Sequence, residues 1–361
     1  MNLDPSETQV LLRDTLRSFL ANELPFDQVR ACEKEGRADA ELWGQLREHG
    51  WLATPFPSSL GGGGAGLVEA GLLVEELARR AAVVPIVEAL SCGAALARCG
   101  GERGAELVRG LIEGAITPVP AVLESSDRFD AIAAEAAGDG SLRAEKYFVD
   151  YAGFATHHLV AARRGGETGL YLVDASHPAI KVEPHATIGR TPQAVVRYDA
   201  APAERVAGED GYDCLVQVAR ALCTVQIVAS MQVSLDQTVA YTSVREQFGR
   251  PIGTFQAVQH HVANMATEVE SVRLLAYEAL DSLDRGSATA ERIAIAKAAA
   301  SRAVPEVTML GHQLHGGQGY IEENDLYFFT LRGKDRSLAW GTADECLEIV
   351  AREIEKPTDW L

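Results

Sequence analysis

Residues 245–265 read REQFGRPIGTFQAVQHHVANM, and the rest of the chain is organised around this stretch. Before it, Val228, Met231, Leu235 and Val239 fall on one face of a long helix. Phe248-Gly249-Arg250-Pro251 stops that helix with a glycine and then a proline. After it, Val258, Val262, Met265, Val269 and Val272 step by four, three, four and three, the spacing of a helix-packing seam. The stop therefore places Arg245, an amide and aromatic edges at one corner between two helices. An Arg fork at such a corner suits a phosphate while the amide reads a base or ribose. Helix punctuation with a solvated Arg accounts for the same pattern.

A third long helix is expected from Thr289 to His312, and Gly311 to Tyr320 (GHQLHGGQGY) ends it in Gly316, Gly317 and Gly319. Glycines at a helix end allow close backbone approach to a ligand or a left-handed cap, and either use fits. His260, His261, His312 and His315 lie nearby, but no pair has the flanking acid or the spacing of a metal helix, so packed or exposed imidazoles are the expectation.

Upstream, the texture differs. From Thr117 to about Val206 the apolar runs are short, rich in Val, Tyr and Phe, and separated by Gly138-Asp139-Gly140 and Gly165-Gly166. This predicts an antiparallel β-domain with hairpin turns. Before Thr117 the pattern is helical: Asp4 as N-cap with Pro5 and Glu7 behind it, then periodic stretches at Leu42 to Leu52, Val68 to Arg80, Pro85 to Arg98 and Glu102 to Glu113. PFPSSLGGGG, residues 55–64, interrupts them as a loop. The fold class is α+β, in three parts: a helical domain over 1–116, a β-domain over 117–208 and a C-terminal four-helix bundle over 209–361.

Composition narrows the function. The 361 residues carry 33 basic and 51 acidic side chains, a formal charge of −18, with 47% hydrophobic residues. Such a chain is globular rather than disordered. The acidic excess argues against a broad nucleic-acid or anionic-membrane surface, and leaves room for one basic spot on one phosphate-bearing ligand. The start lacks a basic region followed by an apolar run, and no stretch approaches about 18 uninterrupted apolar residues, so a cytoplasmic location is expected. Six scattered cysteines without a CxxC pair are expected to be reduced, packed thiols.

REQFGRPIGTFQAVQH, QLHGGQGY and the helix–β–helix order together resemble the acyl-CoA dehydrogenase family. The resemblance runs over essentially the whole chain, including the N-terminal helix, the GGGG loop after Trp51 and the helix carrying Glu75 and Glu76. It implies FAD as cofactor, and removal of the α-proton of a CoA thioester by a carboxylate while the flavin takes the β-hydride. It also implies an FAD shared between subunits, with Arg245, Gln247, Phe248, Gln256, Gln313, Gly316 and Gly317 reaching the adenine and pyrophosphate.

The chain departs from the family where the base belongs. The family's Tyr-Glu-Gly-Thr is matched by Ala339-Trp340-Gly341-Thr342, and an alternative seat before an Arg on the first bundle helix is matched by Ala219-Arg220. Neither Trp340 nor Ala219 is a base. The flavin-cradling Thr-Glu-Pro and Gly-Ser-Asp become Leu123-Glu124-Ser125-Ser126-Asp127, with Glu124, Ser125 and Ser126 left to bond a flavin. The usual Trp strand becomes Lys146-Tyr147-Phe148-Val149-Asp150. The chain thus resembles the base-less subunit of actinobacterial steroid-type members, which form α2β2 heterotetramers. That implies a catalytic partner binding most of the acyl-CoA, a steroid side-chain or branched acyl thioester. Two alternatives stand beside this: a homotetramer using a displaced acid such as Glu323, Asp325, Asp335 or Asp344, and a cofactor-free scaffold.

Overall fold

The computed structural model describes residues 4–354. Six helices come first: α1 (Glu7–Glu23), α2 (Phe26–Glu35), α3 (Ala40–Glu48), α4 (Leu67–Arg79), α5 (Ile86–Cys99) and α6 (Gly101–Glu113). Strands follow: β1 (Pro118–Ala121), β2 (Glu135–Ala136), β3 (Ser141–Asp150), β4 (His157–Arg164), β5 (Glu167–Asp174), β6 (Ile180–His185), β7 (Gln193–Pro202) and β8 (Glu204–Ala207). The last part holds α7 (Glu209–Val244), β9 (Glu246–Gln247), β10 (Arg250–Pro251), α8 (Gln256–Asp284), α9 (Ala290–His315), α10 (Leu326–Leu338) and α11 (Ala343–Ile354). This is the expected helix, sheet, helix order.

The first helix is capped differently from expectation. Ser6, not Asp4, closes α1: the Gln9 amide N–H donates to Ser6 Oγ at 3.2 Å and the Ser6 N–H donates to Gln9 Oε1 at 2.9 Å. This reciprocal box satisfies two amides at once, and it displaces Asp4 and Pro5 outside the helix.

Two compact units divide the chain. One comprises residues 23–70 and 83–219. Its eight-stranded sheet runs β6-β7-β3-β2-β4-β5-β8, with β1 beside β4. Gly165 and Gly166 take φ of 63° and 93° and turn β4 into β5, as their sequence demands. The sheet is not purely antiparallel, which corrects the expectation: β1 and β2 both pair with β4 in parallel. Short-range periodicity does not encode strand direction, and β1 enters from a helix rather than from a hairpin. The GGGG loop is packed rather than open. A Cβ on Gly62 would lie 2.1 Å from the Phe56 carbonyl oxygen, and one on Gly93 of α5 would lie 2.4 Å from the Phe56 ring. Close approach is the reason for glycine at both positions.

The other unit comprises residues up to 22, 71–82 and those from 220 onward. Here α9 packs against α8, α10 and α11. It also approaches α7 closely at Gly311, where an added Cβ would sit 2.7 Å from Ser234 Oγ and 3.2 Å from Thr238 Oγ1. Buried hydroxyls on α7 return their hydrogens to carbonyls one turn back, Thr224 to Arg220, Thr238 to Ser234 and Thr242 to Thr238, so these polar groups enter the core without outside partners. Among the described residues, α7 is the one helix long and apolar enough to cross a membrane, yet most of that stretch is buried inside the protein. Two buried acids on α4 are satisfied within this unit. Glu75 accepts from Arg273 Nη1 and from Tyr277 Oη, and Glu76 from Arg17.

Candidate functional site

The stop after α7 is a miniature hairpin rather than a simple break. Gln247 faces Arg250 and Glu246 faces Pro251 across β9 and β10. Phe248 (φ 55°) and Gly249 (φ 80°) form the two-residue turn, both left-handed as a type I′ hairpin turn requires. The Arg245 N–H still donates to the Tyr241 carbonyl at 2.9 Å, and the Ile252 N–H closes back onto the Arg245 carbonyl at 2.8 Å. Arg250 lies over the Phe255 ring at 4.2 Å, and Phe248 meets Phe255 edge-on at 6.1 Å. Phe248 is nonetheless 93% exposed. The exposed Arg245 guanidinium makes no hydrogen bond or ion pair among the described residues, whereas Arg220, Arg273 and Arg336 in the same unit are engaged.

The end of α9 has the same outward character. Gln313, Gly316 and Gly317 are exposed, as is Gln256 at the start of α8. Gly316 takes φ 59° and ψ −136°, and a Cβ on Gly316 or Gly317 would meet nothing within 4 Å. The imidazoles behind this turn are buried and bonded to the backbone, as expected of packed histidines. His312 Nδ1 donates to the Gly319 carbonyl at 2.6 Å, and its Nε2 lies 2.6 Å from Thr330 Oγ1. His315 Nδ1 donates to the Gly311 carbonyl at 2.8 Å, and its ring stacks on Tyr241 with centroids 4.4 Å apart and planes 18° from parallel. Burial pushes the His315 pKa down, against the opposing effect of the Gly311 bond. His260 and His261 are exposed. The structure thus joins the end of α7 to the end of α9 through a contact that the sequence does not announce. The available signal was a Tyr one turn before Arg245 and a His directly before two glycines.

The loop that the resemblance matches to the family's base segment is held from three sides. Arg220 Nε donates to the Trp340 carbonyl at 2.8 Å. Lys297 Nζ, fully buried, donates to the Gly341 carbonyl at 2.9 Å, to the Ser337 carbonyl at 3.2 Å and to Ser301 Oγ at 2.9 Å. The Cys223 thiol faces the Arg336 carbonyl at 3.4 Å. Trp340 is left-handed at φ 59° and Gly341 follows at φ 103°. Burial holds the Lys297 pKa below its usual value, with the Cys223 and Cys346 thiols pulling the other way. Beyond the loop, Thr342 and Glu345 form the capping box of α11. Of the candidate displaced acids, Asp335 is bonded by Arg336 Nε at 2.9 Å and Nη2 at 2.6 Å, while Glu323 and Asp344 are exposed and Asp325 precedes α10. Lys297 was missed because a cation in an alanine-rich run resembles an exposed helix face; Ser301, one turn on, was the only local hint.

In the β-containing unit, Glu124 is engaged by its own chain. It accepts from Lys146 Nζ at 2.6 Å and from the Ala133 and Ala134 amides at 2.8 and 3.0 Å. Lys146 also donates to the Val122 carbonyl at 3.0 Å. Burial lowers the Lys146 pKa to about 8, even against the pull of Glu124. Burial would raise the Glu124 pKa, but Lys146 and the two amides bring it below the ordinary value. Ser125 and Ser126 are exposed. Phe148 sits where the β3–β7 register slips, with φ 53°, its ring 51% exposed and edge-on to His185 at 6.2 Å.

Comparison with known proteins covers both ends of the chain. The family described as acyl-CoA dehydrogenase, N-terminal domain, matches residues 6–106, and acyl-CoA dehydrogenase, C-terminal domain, matches residues 214–355. Acyl-CoA dehydrogenase FadE27 of Mycobacterium tuberculosis is 30% identical over 354 residues, covering 91% of this chain and 92% of the relative. The solved Tcur3481-Tcur3483 steroid ACAD G363A variant superposes with a TM-score of 0.91 at 31% identity, over 96% of this chain and 98% of that one. The ChsE4-ChsE5 complex from Mycobacterium tuberculosis superposes with a TM-score of 0.92 at 27% identity, over 99% and 100%.

Proposed function

Because this chain belongs to the acyl-CoA dehydrogenase family, we propose that it is a subunit without a base of its own that completes the FAD site of a catalytic partner. The observation that carries this reading is a contrast within one unit. The outward edge keeps an unengaged Arg245 guanidinium beside an exposed hairpin and an open glycine turn, while the loop at the base position presents an indole and is clamped by Arg220 and Lys297.

The exposed residues fit a dinucleotide. Arg245 brings a free planar fork for phosphate, and Gly316 and Gly317 leave open space where a backbone can approach it. Gln247, Gln256 and Gln313 add exposed amides that donate and accept. FAD, when bound, supplies hydride acceptance. Trp340 takes no α-proton, since an indole N–H is a donor only, and Asp335 is held by Arg336. The base accordingly comes from the partner subunit in this reading. The assembly is a cytoplasmic α2β2 heterotetramer. A steroid or branched acyl-CoA is the first substrate class to try, because the solved structure of 31% identity is a steroid ACAD.

Expression of the chain alone and with a catalytic partner subunit tests the proposal through bound FAD and flavin bleaching by acyl-CoA. The expected result is bleaching only with the partner. Bleaching by the chain alone overturns the proposal in favour of a displaced acid, and absence of FAD even with the partner overturns it in favour of a scaffold.

A further inference from the structure

Tyr241 and His315 stack ring on ring between α7 and α9 in the unit that carries Arg245, and neither is among the residues assigned to the cofactor. Their faces are nearly parallel, 18° apart at 4.4 Å between centroids, an arrangement that contributes beyond the area it covers. Each ring is set by its own helix. Tyr241 lies one turn before Arg245, and its carbonyl takes the Arg245 N–H, so the position of Tyr241 dictates where the Arg245 backbone leaves α7. His315 directly precedes Gly316, and its Nδ1–H is fixed on the Gly311 carbonyl, so the ring cannot turn away from Tyr241 without losing a buried hydrogen bond.

The contact is also registered along the helices. Gly311 lies against Ser234 and Thr238, and His315 lies against Tyr241, one turn further on both α9 and α7. Beyond this second point each helix gives way to an exposed segment: the 246–251 hairpin on one side and the Gly316–Tyr320 turn on the other. The far end of that turn is held by His312 on the Gly319 carbonyl. Its near end, Gly316, has open space where a side chain would be and is tied by its N–H to the Gln313 and His312 carbonyls, with the stacked His315 ring directly before it.

We propose that Tyr241 and His315 form a positioning pair that fixes the Arg245 corner relative to the Gly316–Gly317 turn, so that both meet one FAD without being ordered by it. This rests on the reading of those segments as an FAD-binding edge. The pair touches neither flavin nor substrate in this scheme. It acts by removing the freedom that binding would otherwise have to remove, and its two members need aromatic faces rather than a hydroxyl or a charge.

The test uses the full chain in its purified assembly, as wild type, Tyr241→Leu, Tyr241→Phe and His315→Asn. Amide hydrogen exchange is read over residues 245–254 and 313–320, and FAD retention is read by dilution and ultrafiltration. Tyr241→Leu is expected to accelerate exchange in both segments together and to weaken FAD retention roughly three- to tenfold, the worth of one aromatic pair. Tyr241→Phe, which keeps the stack, is expected to match wild type. His315→Asn keeps an amide donor for Gly311 but no ring, and is expected to behave as Tyr241→Leu; it carries the test if the leucine variant does not fold. Exchange unchanged in both segments, loosening confined to the mutated helix, or a phenylalanine variant as weak as leucine would each overturn the pairing. Arg245→Ala separates the two readings. If it retains FAD as wild type does, the cofactor edge itself is wrong and the inference falls with it. If it loses FAD while Tyr241→Leu leaves both segments unchanged, the positioning pair alone is wrong.

Discussion

Arg220 Nε donates to the carbonyl oxygen of Trp340 at 2.8 Å, joining the two segments that the resemblance matches to the family's seats for a base. Arg220 directly follows Ala219, and Trp340 stands where the resemblance matches the acid of Tyr-Glu-Gly-Thr. The guanidinium that would neighbour an acid on α7 instead holds the loop that presents the indole. With Lys297 on Gly341 and Ser337, the loop has several ties independent of what residue 340 is. Trp340→Glu is therefore expected to fold yet give no acyl-CoA-dependent flavin bleaching by the chain alone, because by the same resemblance residues 124–127 depart from the family's flavin-cradling segment as well.

Lys297→Met tests the clamp itself. Methionine fills a similar volume but leaves the Ser337 and Gly341 carbonyls without their buried donor. The expected cost is roughly 2–4 kcal/mol, from about 1–3 for each unsatisfied group less the relief of removing a buried charge. Denaturant midpoints of the two proteins measure it, and a variant as stable as wild type would show that the loop keeps its shape without Lys297.

Arg245 has the opposite profile. Its side chain is exposed and unengaged among the described residues, so Arg245→Ala is expected to leave stability within about 0.5 kcal/mol. FAD retention in the complex is expected to drop on the order of ten- to a hundredfold, the loss of a charge-assisted bond. Arg245→Lys should fall between, since an ammonium keeps the charge but not the fork. Equal retention in all three proteins would remove Arg245 from the site.

The Glu124–Lys146 pair sets a pH signature for the β-containing unit. The Lys146 pKa falls from 10.5 when unfolded to about 8 when folded. Between those values the unfolded chain binds more protons, so this group's contribution to stability rises with pH, by up to about 3 kcal/mol across the window. The Glu124 pKa is lowered on folding; its contribution is present above the unfolded value and is lost as pH falls through the folded one. Subtracting the stability of Lys146→Met from that of wild type at pH 7, 9 and 10 isolates the lysine. A difference that stays flat or falls with pH would contradict its buried, neutralising environment.

Phe248 gives a sharper separation of folding from binding. A bulky residue at φ 55° is strained, and Asn-Gly is the preferred pair for this turn. Phe248→Asn is expected to match or exceed wild-type thermal stability while weakening FAD retention, since the exposed ring is lost. A variant that loses stability would mean that the Phe248–Phe255 contact matters more than the backbone conformation.

Much of this was legible in the sequence, and what was hidden has a common cause. The Val258 to Val272 seam became α8, and Gly165-Gly166 became a hairpin turn, because periodicity and turn chemistry act within a few residues. The parallel partners of β4, the two-residue β2 and the short β8 were not visible, since each depends on pairing with distant strands. The same holds for the site. Arg245, Gln313 and the glycines are named from local motifs and the family resemblance, whereas Tyr241 on His315, Arg220 on Trp340 and Lys297 beneath its loop are separated by 74, 120 and at least 40 residues. Glu124 makes the same point: its bonds to Lys146, Ala133 and Ala134 come from segments that its local motif does not contain.

Gly311 carries no side chain, and the methyl group it lacks would collide with Ser234 and crowd Thr238. Those hydroxyls sit among the turns of α7 leading to Arg245, and Gly311 sits one turn before His315. The missing carbon therefore works as a gauge block: the thickness of one residue sets the gap between two helix ends that lead into exposed segments. Tolerances at the surface of this protein are machined in its interior, and a substitution that adds bulk at 311 changes the spacing of exposed segments it never meets.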